Sequence, residues 1–112
     1  RHAGDVPVMA LEGGLDRLAQ AKGAMARGDI AQKCLFITKA IGIITGLRQG
    51  LDEEKAEDPA AIQQLDSLYE YMNSQLLKAN VNNDSEIIDE VARLLTTVKS
   101  GWDAIAAQEI AQ

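Results

Sequence analysis

Apolar residues recur every three or four positions in four successive stretches of this chain, and each stretch is bounded by residues that start or stop a helix. Nowhere do four or more consecutive residues alternate apolar and polar as a half-buried strand would. The first stretch runs from about Val8 to Arg27, with Val8, Leu11, Leu15, Leu18 and Met25 on one face. Gly28 then relieves a helix C-terminus, Asp29 can cap the next N-terminus, and Gln32 is placed to complete a capping box. The second stretch spans Ile30 to Leu51, about 33 Å at a rise of about 1.5 Å per residue. Its apolar series is Ile30, Cys34, Ile37, Ile41 and Ile44, with Ala40, Leu47 and Leu51 alongside.

An acidic connection from Asp52 leads to Asp58-Pro59, an N-cap followed by proline at the first helical position. The third stretch, Pro59 to about Ala79, carries Ile62, Leu65, Tyr69, Met72, Leu76 and Ala79 on one stripe. Asn80 to Asp84 is a turn cluster in which Asn83 and Glu86 make a capping pair. The fourth stretch presents Ile87, Val91, Leu94, Val98, Trp102 and Ile105. Four helices with short connections predict an all-α fold, a single antiparallel four-helix bundle with up-down connections over residues 1–112. Ile37, Ile41, Ile44, Leu65, Met72, Leu76, Val91, Leu94 and Val98 are expected to be buried together.

Composition narrows the function. Hydrophobic residues make up 46% of the chain, ample for a core, and aromatics only 4%, so that core is built from aliphatic side chains. A net charge of -6 disfavours nucleic acid, which needs a basic surface. Residues 1–50 carry seven Lys/Arg against four Asp/Glu, and residues 51–112 carry four against thirteen, so the two halves should attract each other. Cys34 is the only cysteine, which rules out an internal disulfide and fits a reducing compartment. No run of eighteen apolar residues appears, so no membrane insertion is expected, and no secretion signal is visible. The chain opens at Arg1 without an initiator Met, which predicts a missing native N-terminal segment.

No catalytic grouping emerges, and neither a metal nor a cofactor is implied. The sole histidine is His2, so the inward Glu-x-x-His pairs of a metal-binding bundle cannot be assembled. Cys34 sits on the apolar stripe and reads as a packing residue. The run Asp52 to Asp58 lacks the spacing of a calcium loop. Tyr69 and Trp102 fall at core positions, whereas Tyr71 lies off the stripe and reads as a partly exposed contact residue.

The second helix is the unusual one. The face opposite its core stripe should be charged, yet it carries Leu35, Lys39, Gly42, Ile43, Gly46 and Gly50, with Phe36 at its border. Each interior glycine costs a helix about 0.8–1 kcal/mol relative to alanine, so Gly42 and Gly46 together cost about 2 kcal/mol. Two explanations fit: close approach of a sister helix within the bundle, or a groove into which a second protein lays a helix. A second copy of the chain, forming a homodimer, would satisfy the same physics. The candidate partner-binding set is Leu35, Phe36, Lys39, Gly42, Ile43, Gly46, Leu47, Gly50 and Tyr71.

Several pieces, in order, resemble the FliS family of flagellar export chaperones. They are Leu11-Glu12-Gly13-Gly14-Leu15-Asp16-Arg17-Leu18, Ala21-Lys22, Gly28-Asp29, Lys39-Ala40-Ile41-Gly42-Ile43-Ile44 and Gly46-Leu47-Arg48-Gln49-Gly50-Leu51-Asp52. Leu68-Tyr69-Glu70-Tyr71-Met72, Leu76, Ala79-Asn80, Asp89-Glu90-Val91 and Trp102 continue the match. The resemblance implies a cytoplasmic bundle that binds the disordered C-terminal segment of flagellin, blocks premature polymerisation and hands the subunit to components of the type III export apparatus. The chain departs from the family in lacking its N-terminal lead, in Pro7 and Gln75, and in an acidic connection without the usual glycines. A generic helical adaptor or dimerisation module is the alternative.

Overall fold

The computed structural model describes residues 5–51 and 58–111, with side chains over 6–51 and 58–103. Four helices make up the described residues: α1 (Asp5–Ala26), α2 (Ile30–Gln49), α3 (Pro59–Asn82) and α4 (Ser85–Ala111). No strand occurs among them. Helix α1 begins before Val8 because Pro7 sits in its first turn, where the absent N–H had no acceptor to lose.

Local chemistry sets the ends. Gly28 adopts φ +70°, and the Gly28 and Asp29 amides donate back to Met25 (3.1 Å) and Ala24 (2.9 Å), closing α1 in a Schellman turn. Asp29 then accepts from the Gln32 amide at 3.0 Å, as the sequence predicts, but its own N–H is taken by the Ala24 carbonyl, so Gln32 does not close the expected capping box. Asp58 likewise accepts from the Ala61 amide at 3.2 Å, with Pro59 opening α3. The third junction differs from expectation. Asn83 does not cap α4; it takes the left-handed conformation (φ 52°) that ends α3, a role asparagine tolerates. Asp84 caps instead, accepting from the Glu86 amide at 3.0 Å.

The helices form a four-membered ring in cross-section: α1 packs on α2 and α4, and α3 packs on the same two. Fully buried Leu11, Leu18, Ile37, Ile44, Met72, Leu76, Ile88, Val91 and Leu95 fill the centre with Tyr69. Each such aliphatic side chain contributes about 1.5–3 kcal/mol of burial. Buried Ala21, Ala24, Ala40 and Ala79 leave room for close helix approach. Of the nine side chains expected together, Ile37, Ile44, Met72, Leu76 and Val91 are buried, and Ile41, Leu65, Leu94 and Val98 are half-buried against them. On α4, Ile88 and Leu95 take the centre, one residue along from the predicted Ile87 and Leu94.

Ile30 is 69% exposed, because it is the first residue of α2 and lies past the core. Ile105, His2 and the acidic residues 52–57 lie outside the described side chains. The expected attraction between the halves appears as Lys22–Asp89 and as Arg48 held to Asp66 (2.6 Å) and Glu70 (3.1 Å). By length and composition alone α2 could pass for a membrane span, although charged and polar residues interrupt its apolar ones. Only 22% of its most apolar eighteen-residue stretch is buried by the bundle. Much apolar surface of α2 is therefore left open.

Candidate functional site: an open apolar cleft

At one end of the bundle the first turns of α1, the last turns of α2, the start of α3 and Trp102 of α4 enclose a cleft of about 620 Å³. Its hollow follows from small residues: Ala10 and Gly13 on α1, and Gly46 and Gly50 on α2, bring little or no side chain to the interior. Its walls are large and apolar, namely Val6, Met9, Leu47, Ile62 and Trp102. Val6 and Met9 are 57% and 67% exposed, so the wall they form faces water. Tyr69 closes the floor. Burial pushes its phenol up, and the neighbouring Trp102 indole N–H partly offsets that by hydrogen bonding.

From the cleft an uncovered strip runs along α2 towards its N-terminus. A Cβ placed on Gly42 or Gly46 would meet nothing within 4 Å. No described helix therefore approaches this strip closely. Closure by a sister helix, one of the two explanations for these glycines, is not the arrangement found. Leu35 stands half-exposed on the strip, and the Lys39 ammonium lies 5.7 Å from the centre of the Phe36 ring. Ile43 leans towards α1, its Cδ1 3.6 Å from where a Gly13 Cβ would sit and its Cγ2 3.8 Å from that of Gly14. It is half-buried, not enclosed.

The candidate residues thus fall into three groups. Ile43, Gly46, Leu47 and Gly50 line the cleft. Leu35, Phe36, Lys39 and Gly42 extend the same side of α2 by helical spacing. Tyr71 stands apart on the α3–α4 seam, where its hydroxyl donates to both Glu90 carboxylate oxygens at 3.0–3.1 Å. Gln75 donates to the same carboxylate at 3.1 Å. Acceptance by Glu90, followed by partial burial, raises the Tyr71 phenol above its ordinary value.

Val6, Met9 and Ala10 were missing from the sequence-derived set. Their signal was the spacing Val6, Met9, Gly13, a second apolar-and-small stripe on α1 beside the core stripe. Lys33 was missed too. It is 6% exposed, and its ammonium donates to the Asn80 carbonyl at 3.0 Å in the last turn of α3, where carbonyls lack helical donors. Cys34, expected as a packing residue, is half-buried, with its thiol 3.4 Å from Asn80 Oδ1. Among the described residues no group of three His, Cys, Asp or Glu side chains could hold a metal ion.

A bundle whose open apolar cleft runs into an uncovered helix face has the form of a partner-binding protein. The chain belongs to the FliS family: the family model described as "Flagellar protein FliS" matches residues 3–109. It is 53% identical to the flagellar secretion chaperone FliSB of Pseudomonas aeruginosa over 98 residues, covering 88% of this chain and 76% of that protein. The flagellar secretion chaperones FliS of Vibrio cholerae and Salmonella typhimurium are 39% and 38% identical, covering 87% and 88% of this chain and 70% and 72% of theirs. The family is one of flagellar secretion chaperones, not of enzymes.

Proposed function

We propose that this chain binds the disordered C-terminal segment of flagellin in the cytoplasm, keeps it from polymerising prematurely and delivers it to the flagellar type III export apparatus. The observation that carries this reading is the continuity of the cleft with the open strip of α2. Together they offer a long apolar surface that an amphipathic helix would cover, with large side chains in the cleft and its backbone close over Gly42 and Gly46. The relatives named as flagellar secretion chaperones favour a flagellar export substrate as that helix. Binding is stoichiometric, and no bond is made or broken.

Trp102 supplies the test, since it is the only tryptophan and it walls the cleft. Titrating the full chain with the C-terminal segment of flagellin from the same organism should shift Trp102 emission to shorter wavelength and saturate at one segment per chain. An unchanged spectrum at saturating peptide, with no complex on size exclusion, would remove flagellin as the partner.

A further inference from the structure

No charged side chain lines the cleft, but one turn beyond it the same strip carries charge. The positions of Gly13 against Ile43 fix the register of the antiparallel α1–α2 pair. One turn further along α1 is Arg17, and one turn back along α2 is Lys39, so the two cations lie level across one seam. Arg17 donates to the neutral side chain of Gln20 at 2.9 Å, and Lys39 rests over Phe36. Neither takes part in any of the ion pairs found among the described residues, although Asp16 adjoins Arg17 in sequence. By contrast Lys22, Arg48 and Lys99 each hold a carboxylate. Arg27, Lys78 and Arg93 likewise hold no carboxylate among the described residues, but Arg17 and Lys39 are the two that lie level with each other one turn from the cleft.

We infer that the cleft and the Arg17–Lys39 pair together read the direction of the bound helix. The occupant is an amphipathic helix with a large apolar residue that seats in the cleft. About seven residues away on the same face, two turns or about 10 Å, it carries one or more carboxylates that meet Arg17 and Lys39. Laid the other way round, that helix would bring its carboxylates to Val6, Met9 and Trp102, where nothing repays their desolvation. Charge complementarity at one end thus excludes the reversed orientation. This inference rests on the flagellin-binding reading above.

The test is a charge-reversal cycle between the full chain and the flagellin C-terminal segment, with affinities measured at about 0.05 M and about 0.5 M salt, where screening differs strongly. Arg17→Glu/Lys39→Glu should weaken binding about tenfold at low salt and far less at high salt. Reversal of the segment's carboxylates to lysine, one turn at a time, should restore affinity for this variant at a single turn only. The neutral pair Arg17→Gln/Lys39→Met, which keeps the apolar stems, should fall between the two chains. Affinity of the reversed chain within twofold of the parent, or equal rescue from every turn, would overturn the directional reading while leaving flagellin binding intact. Failure of the parent chain to bind the segment at either salt would instead remove the reading on which it rests, and this inference with it.

Discussion

The glycines of α2 show how much rests on single residues. An interior glycine weakens a helix, and among the described residues nothing packs where a Cβ on Gly46 would stand. Gly46→Ala should therefore stabilise the free protein by up to about 1 kcal/mol, while the added methyl holds a docked helix off and lowers affinity. Denaturant unfolding and a binding titration on the same sample check both signs. A second substitution separates surface from core more cleanly than one at Ile43, which is half-buried against α1. Met9→Glu alters a water-facing side chain of the cleft wall, so stability should change by less than about 0.5 kcal/mol. A buried carboxylate facing an apolar ligand should nonetheless weaken flagellin binding about tenfold or more. Loss of stability without loss of affinity would place the docking surface elsewhere.

Helices, and the side each presents, were largely legible in the sequence. The α1–α2 and α2–α3 junctions followed from Gly28-Asp29 and Asp58-Pro59, because capping is chemistry between residues only a few positions apart. Asn83 was misassigned because it and Asp84 can each do either job, and only the chain's direction decides which one turns left-handed. The phase of α4 slipped by one residue because its apolar stripe is wide, with Ile87-Ile88 and Leu94-Leu95 offering two nearly equivalent centres. Leu95→Ala should cost about 2–5 kcal/mol and clearly more than Leu94→Ala, a comparison that unfolding midpoints would settle. The α2–α3 tie carries a pH signature. Arg48 hydrogen-bonds Asp66 and lowers its carboxyl below the ordinary range, against a smaller desolvation effect. That contribution is complete above the unfolded aspartate value and disappears as pH falls through the lower folded value. Acid should therefore destabilise the parent chain more than Arg48→Met, measured as urea midpoints between neutral pH and about pH 3.

At the scale of the whole molecule, the open side of α2 was legible as an oddity of composition, but the cleft was not. A cleft depends on which ends of which helices meet, and Met9, Ile62 and Trp102 are brought together only by the antiparallel ring. Tyr71 is partly exposed, as its place off the stripe predicts, and the fold sets it on another seam, tied to Glu90. The charge imbalance between the halves has two uses in the assembled bundle. Lys22 and Arg48 tie α1 and α2 to α4 and α3, and Arg17 and Lys39 are left facing outward beside the docking strip.

The central claim is that the cleft and the α2 strip are covered by a helix that flagellin forms on binding. Titration calorimetry of the full chain with the flagellin C-terminal segment, repeated over a range of temperatures, tests it most directly. Folding of a disordered segment onto an apolar surface buries on the order of 1,000–3,000 Å². The account predicts one segment per chain, favourable enthalpy and a large negative heat capacity change, with that change reduced in Met9→Glu. Binding with a heat capacity change near zero, or with the same change in both proteins, would contradict it.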